Sequence, residues 1–552
     1  MKSLILSFFL FACWYGHAQS DLFNQNITYS RADSLRGSIT EGRAWWNLKH
    51  YELGIEVDIA NKSLKGSNTI TYEVLESNNF MQIDLQAPMK ILKVSQNGME
   101  LLVEKEGNAH FVQLKEKQKV GTIQKLEIEF VGKPREAVNA PWDGGFTWAK
   151  DSNGKDFIAN ANQGIGASIW WPCKDHGYDE PEDGLRMNIT VPDGLVAVGN
   201  GRLIGTNKQA DKTTYTWEVS NPINNYGVNI NIGDYINYSE TYEGEKGKLD
   251  IGYWVLRENV EKAKAQFKQV PMTLDAFEYW FGPYPFYEDS YKLVEVPYLG
   301  MEHQSSVTYG NSYKNGYNGR GRGSFDWSGT GWGLKWDYII VHETGHEWFA
   351  NNITARDVAD LWIHEGFTCY SETLYLDYHF GEQAASEYVI GTRRVISNES
   401  PLIGHYDVNK EGSGDMYFKG NNILHTLRQI VNDDEKWRSI LRGLNERFYH
   451  QTVTTAEVEN YIAEQSKFDL SSFFDQYLRN SNIPSFEYKI DNENISFRWT
   501  NVIDGFSMPL DVIIDGEAVR IDPSIEWSSR KGQKIQVDQD FYINSVDVSE
   551  ND

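Results

Sequence analysis

His342, Glu343 and His346 belong to a His-Glu-Thr-Gly-His run, in which two imidazoles stand four residues apart. On a helix, positions i and i+4 share one face. Both rings can therefore reach one metal ion, with Glu343 placed to touch a water on it. A catalytic zinc takes three protein ligands and keeps a fourth position for water. The third ligand should be a His or a carboxylate from a neighbouring element. Glu365 follows His346 after 18 intervening residues, in Leu361-Trp362-Ile363-His364-Glu365-Gly366-Phe367. That segment reads as a second helix packed antiparallel to the first, with residues 351–360 as the turn. The five-residue run alone competes with chance histidines on a solvated helix; Glu365 on its own helix weighs against chance. One zinc ion per chain, on His342, His346 and Glu365, is the expectation. Zinc lowers the pKa of bound water and polarises a substrate carbonyl. Glu343 would take the water proton during attack and return it to the leaving amine, and the oxyanion would need a further donor.

Helical periodicity dominates from Lys335 to Arg479 around these residues. Ile339, Ile340, Thr344 and Trp348 are placed to face a core; Gly381 ends the second helix, and Asp433 and Thr454 are N-caps for later ones. Glu258 to Phe281 reads as one helix stopping at Gly282-Pro283, followed by a short strand over Lys292–Val296. Residues 309–333, with Gly319, Gly321, Gly323, Gly329, Gly331 and Gly333, form a loop, either a surface excursion or a wall of the cleft. Upstream, Leu53, Ile55, Val57 and Ile59 alternate with polar residues, the mark of a half-buried strand. Similar short strands recur to Val228–Ile232, so this region reads as antiparallel β. After Pro484 strands return, with a hairpin turning at Asp515-Gly516.

The chain has 552 residues, enough for about three or four domains. Eighteen Trp and 31 Tyr exclude a disordered or fibrous class. A net charge of −26 repels nucleic acid phosphate and anionic lipid, so neither is an expected partner. Residues 1–18 read as a signal peptide: Lys2, an apolar run from Leu4 to Trp14, then small residues ending at Ala18. Lipoprotein processing at Cys13 fits less well beside bulky Phe11. Removal of that leader leaves Cys173 and Cys369, which make no disulfide framework. No later segment has the length and apolarity of a membrane span. A soluble periplasmic or extracellular protein is expected. Residues 19–40 read as a polar, loosely attached arm.

With these residues in view, the chain resembles the aminopeptidase N family of gluzincins over about Trp45 to Pro484. The stretch 342–351 looks like that family's zinc helix, 360–367 is similar to the segment carrying its third ligand, and Phe281-Gly282-Pro283-Tyr284-Pro285-Phe286 matches a structural landmark. Leu299-Gly300-Met301-Glu302-His303 looks like the family's Gly-Ala-Met-Glu-Asn strand. The resemblance implies that Glu302 holds the substrate's free amine while Gly300 and Met301 flank the peptide; Leu299 and His303 depart from the pattern. Asn160-Ala161-Asn162-Gln163 is similar to the other amine-binding segment and places Gln163 there. Tyr417-Phe418-Lys419-Gly420 resembles the Tyr-Glu-Lys-Gly stretch, which gives Tyr417 the oxyanion role. Family members usually carry a large helical domain after the β-sandwich; no such stretch occurs here, which implies an open cleft, a partner subunit, or a cap made by the glycine-rich loop.

The resulting expectation is a multidomain α+β protein. Residues 41–245 form an N-terminal antiparallel β domain, 246–484 a thermolysin-like α+β catalytic domain, and 485–552 a small C-terminal β-sandwich-like domain. The function implied is a zinc aminopeptidase acting on peptides with a free amino terminus. The rivals are a zinc endopeptidase on the same fold and a catalytically silent peptide-binding relative; intact Glu343 argues against the silent form. Neither oligomeric state nor side-chain preference follows from the sequence.

Overall fold

A computed structural model of the chain describes residues 28–319 and 323–549. The leader at 1–18, Cys13 and the start of the 19–40 arm lie outside the described residues. The rest of that arm is not loose. Arg31–Gly37 is a helix with a Ser30/Asp33 capping box. Arg36 pairs with Asp175 at 3.0 Å and donates to the Ile165 carbonyl, so the helix is docked on the N-terminal sheets. Seven residues are too few to show a helical period, which is why the sequence pattern missed it.

Alternating burial along Trp46–Asp58 puts Leu53, Ile55 and Val57 into a core with the returning strand Ser63–Val74. These two strands sit in an eight-stranded sheet, accompanied by a four-stranded and a three-stranded sheet. The expected antiparallel pairing does not hold throughout. Trp46–Asp58 runs parallel to Leu185–Pro192, with Tyr51 opposite Leu185. Period two reveals which face is buried, not which distant strand is the neighbour.

The hairpin Tyr235–Gly244 and Gly247–Leu256 joins Tyr291–Glu295, Val307–Tyr309 and Gly300–Met301 in one five-stranded sheet. Residue 245, the expected boundary, therefore lies in the turn of a hairpin that belongs to this five-stranded sheet. Gly300–Met301 is the edge strand of that sheet. The single helix expected over 258–281 is two, Val260–Gln266 and Gln269–Phe281. The break lets Phe267 turn into the core against Tyr253 and Tyr309.

Helices follow: Tyr338–Gly345, carrying the histidines; Trp362–Phe380, carrying Glu365; and Phe418–Val431, which starts just after Tyr417. Thr454 makes the capping box of a later helix with Glu457, as its position suggests. A four-stranded and a three-stranded sheet close the chain, with the hairpin turn at Asp515 and Gly516, both at positive φ. One apolar cluster runs from Leu249 to Tyr542, so the final sheets pack directly on the helices. Among the described residues no helix is long and apolar enough to cross a membrane.

Candidate active site

The histidine helix is fixed at its start by Asp337, a buried N-cap that accepts from the Ile339 N–H and from the Tyr309 phenol. His342 lies in its last turn, and His346 is the residue that closes it. The two rings stand 5.0 Å apart and nearly perpendicular. Each Nδ1 is already engaged: His342 with Glu372 Oε1 at 2.7 Å, His346 with the Phe349 carbonyl at 3.0 Å. Both Nε2 atoms therefore turn toward one point. Glu365 Oε2 lies 3.8 Å from His342 Nε2 and 3.4 Å from His346 Nε2.

These three residues fit a zinc ion. Tetrahedral ligands about 2.1 Å from zinc stand roughly 3.4 Å apart, close to the spacings observed. Glu365 Oε2 is buried and accepts no hydrogen bond of ordinary geometry, a cost that a cation in front of it would offset. The partners on the far ring nitrogens are the kind that orient metal-binding imidazoles.

The tyrosine helix reaches this point through a close crossing. A Cβ on Gly420 would stand 2.6 Å from the Gly366 Cα, so only two glycines allow the helices to approach this far. The crossing brings Tyr417 against the ligand set, its ring parallel to His342 at 6.2 Å and its phenol facing Glu365. Burial raises that phenol well above its usual range, so it is a neutral donor at pH 7.

Glu302, at the end of the edge strand, is only 2% exposed. Gln163 Nε2 donates to Glu302 Oε1 at 2.9 Å and to Glu365 Oε1 at 2.7 Å. Asn351 donates to the Glu302 backbone carbonyl at 3.0 Å. Gly300 matters by its lack of a side chain: a Cβ there would meet Ile339 Cγ2 at 2.6 Å and Glu343 Oε1 at 3.0 Å. Met301 packs beside Tyr298, with its carbonyl accepting from Thr308.

Electrostatically the site is short of positive charge. Burial raises the Glu343 carboxyl to about 8, against the pull of His342, and raises Glu302 as well. Against the burial that would lower it, the Glu365 and Glu302 carboxylates lift His346 to about 10. Three carboxylates face two imidazoles, and no lysine or arginine lines the cavity among the described residues. A metal ion and a substrate cation both answer that deficit.

A cavity of about 550 Å³ contains all nine residues singled out in the sequence, from Gln163 to Tyr417. Pro141 and Trp142 form one lip; Tyr317, Phe325 and Trp327 of the glycine-rich loop, with Phe418, form an aromatic wall. That loop is therefore part of the cleft. The flanking histidines are not ligands. His303 is fully buried without a partner, and burial lowers it to about 3, so it presents no charge to Glu302. His364 Nε2 accepts from the Ala355 N–H at 2.7 Å.

Three residues went unnoticed in the sequence. Glu372, which holds His342, lies seven positions after Glu365 on the same helix face, a spacing that could have revealed it. Tyr338, stacked on His342 at 5.1 Å, lies four before it and was equally accessible. Tyr226, whose ring lies over His364 at 6.3 Å and whose carbonyl accepts from Asn162, lies in a segment with no local signal.

Comparison with known proteins agrees with this geometry. A model described as the peptidase M1 N-terminal domain matches residues 47–226, and one described as the peptidase family M1 domain matches 333–477. The leucyl aminopeptidase of Saccharolobus solfataricus is 20% identical over 542 residues, covering 91% of this chain and 64% of that protein. The leukotriene A-4 hydrolase of Xenopus laevis is 22% identical over 446 residues, covering 76% of this chain and 68% of that one. The chain thus spans less than two thirds of the archaeal relative's length. Among solved structures, an M1 zinc metallopeptidase of Deinococcus radiodurans aligns with a TM-score of 0.65 at 20% identity, over 77% of this chain and 91% of that one. A mutant of the same protein bound to a Tyr-Ser-Ala substrate aligns with a TM-score of 0.66 at 19% identity, over 80% and 96%.

Proposed function

The chain belongs to the peptidase M1 family, and on that premise we propose that it is a zinc-dependent aminopeptidase that removes residues from the free amino ends of oligopeptides. The observation that carries this reading is the position of Glu302. It is a buried carboxylate, linked through Gln163 to the ligand Glu365, with no basic side chain beside it in the cavity among the described residues. A buried carboxylate needs a cation to offset its desolvation, and a peptide ammonium supplies one. The distance from such an anchor to the ligand set selects the first peptide bond.

In this reading Glu302 accepts two or more of the ammonium hydrogens. Gln163 spends its amide N–H groups on the carboxylates, which leaves its carbonyl oxygen to accept from the ammonium. Gly300 and Met301, on the sheet edge, offer backbone groups to an extended peptide. When bound to His342, His346 and Glu365, zinc supplies a Lewis acid that polarises the scissile carbonyl and acidifies water. A cation on the ligand set would hold the neighbouring Glu343 carboxyl ionised, and Glu343 then accepts the proton of the attacking water and hands it to the departing amine. Tyr417 donates its phenolic hydrogen to the oxygen on which negative charge develops. The leader-like composition of residues 1–18 supports an exported enzyme, which N-terminal sequencing of protein from the envelope or medium checks.

Hydrolysis of a tripeptide is compared with that of its N-acetylated form, with and without a zinc chelator. Cleavage of the free peptide alone, one residue at a time and lost on chelation, is expected. Equal cleavage of both forms would replace this reading with an endopeptidase.

A further inference from the structure

The side chains around the ligand set are unevenly distributed. Carboxylate oxygens of Glu302 and Glu343 and a ring nitrogen of His346 lie within 4.8 Å of one another, so the amine anchor stands on the His346 side. On the His342 side the neighbours are aromatic. Tyr338 is stacked on His342 with ring centres 5.1 Å apart. Tyr338 meets Tyr317 edge-on at 5.4 Å, and Tyr317 meets Trp327 at 5.1 Å. Trp327 in turn packs with Phe325 at 5.0 Å and with Phe418 at 5.5 Å. A continuous set of rings thus starts at His342, and all of them line the cavity.

The edge strand gives the same direction independently. Glu302 directly follows Gly300–Met301. A Cβ on Gly300, two positions back, would meet Glu343 Oε1 at 3.0 Å and Ile339 Cγ2 at 2.6 Å. Ile339 is the chain neighbour of Tyr338. An extended peptide paired along this edge with its ammonium at Glu302 therefore passes Glu343 and then arrives at the rings. The charged side chains that line the cavity among the described residues are Glu302, Glu343, Glu365 and the two histidines, none of them in the ring set. Arg394, whose guanidinium lies over Phe325, donates to the Asp326 and Trp327 carbonyls. Phe325 is 43% and Val395 38% exposed, and both line the cavity. Apolar surface gathered in this way inside a cleft marks a place where an apolar group binds.

We propose that this aromatic wall binds the side chain of the residue after the scissile bond, so that the enzyme selects peptides whose second residue is aromatic or large and aliphatic. The inference rests on the amine-anchor reading of Glu302 given above and adds a requirement which that reading does not contain. Burying such a side chain against the rings strengthens binding by about ten- to a hundredfold over leaving it in water. Offset and edge-on ring contacts favour an aromatic side chain further. An acidic second residue gains nothing from uncharged rings and is repelled by the carboxylates of the site, so it belongs among the poorest.

The test is release of free alanine from Ala-Xaa-Ala peptides by the zinc-loaded full chain, with Xaa as Phe, Leu, Gly or Asp. kcat/KM for the Phe and Leu peptides should exceed that for the Gly and Asp peptides by about tenfold or more. Phe325→Ala removes a half-exposed ring at the edge of the wall, and Trp327→Ala removes its centre. Each should cut the Phe-to-Gly ratio by about threefold or more and leave the rate on the Gly peptide within about twofold of native. Neither should change the preference between Phe-Ala-Ala and Ala-Ala-Ala, which reports the first residue. A flat response to Xaa in the native enzyme would overturn the proposal, and so would variants that alter only the first-residue preference. N-acetylated Ala-Phe-Ala keeps the two readings apart. If it is cleaved as fast as the free peptide, the aminopeptidase reading falls and this inference with it. If only the free peptide is cleaved, a flat response to Xaa removes the wall's role and leaves the anchor intact.

Discussion

Individual side chains in the site are set by what sits behind them. His342 is turned toward the ligand point because Glu372 Oε1 occupies its other nitrogen at 2.7 Å. Losing such a support typically weakens metal binding about 10–100-fold. Glu372→Ala should therefore release zinc to a competing chelator at a correspondingly lower chelator concentration; unchanged competition would remove this role. Glu343 lies beside Gly300 and faces the cavity. Glu343→Gln is nearly isosteric but accepts no proton, so turnover should drop by about 10²–10⁴-fold while zinc content stays the same. His303 permits a cleaner electrostatic measurement. It is buried without a partner and lowered by burial to about 3. Above pH 6.5 the ring is neutral whether folded or unfolded; below it, only the unfolded chain takes up the proton. Stability is thus lost as pH falls toward the folded value, by about 2 kcal/mol between pH 6.5 and pH 5. His303→Leu should lower the drop in melting temperature between pH 7 and pH 5, whatever its effect at pH 7. An identical pH dependence in the variant would mean that water reaches the ring.

Elements contribute by how closely they cross. Glu365 and Tyr417 meet because the helices that carry them touch at Gly366 and Gly420, backbone against backbone. Gly420→Ala puts a Cβ 2.6 Å from the Gly366 Cα, and the clash has no flexible side chain to absorb it. Overpacking of this kind costs about 1–3 kcal/mol. Thermal unfolding should register that loss, and kcat should fall with it as Tyr417 moves away from the ligand set. A variant of full stability and activity would show that the crossing has slack. The glycine-rich loop is held differently. Arg394 donates to the Asp326 carbonyl at 2.6 Å and the Trp327 carbonyl at 2.9 Å, and its guanidinium lies over Phe325. These bonds pin an otherwise irregular segment so that its aromatic residues become cavity wall.

Across the whole molecule, the site exists only where separate regions meet. Gln163 comes from the N-terminal sheets, Glu302 from the edge of the five-stranded sheet, and the ligands and Tyr417 from three helices. A metal ion at their junction crosslinks two of those helices and neutralises carboxylates that otherwise repel. A ligand that binds only the folded state adds RT ln(1 + [L]/Kd) to stability, about 4 kcal/mol at a thousandfold excess over Kd. Chelation should lower the melting temperature of the native protein and leave that of His346→Ala, which lacks a ligand, unmoved. Equal melting temperatures of the native protein with and without chelator would show that the apo site is already satisfied by other means.

What the sequence determined was local or periodic. The i, i+4 histidines, Glu365 on the next helix, the helix caps at Asp433 and Thr454, the buried face of Trp46–Asp58 and the Asp515-Gly516 turn all follow from spacing within one or two elements. Glu302, Gln163 and Tyr417 came from resemblance, since nothing local in their segments distinguishes a site residue from a satisfied one. Tertiary structure decided the rest. The parallel pairing of Trp46–Asp58, the docking of Arg31–Gly37, the break at Phe267 and the place of the 235–256 hairpin depend on partners far along the chain. Tyr226 is the sharpest case: its contacts with Asn162 and His364 are made by packing among segments from different parts of the chain. Periodicity records which face of an element seeks burial. It holds no record of which other face will be waiting there, and that is what set the site.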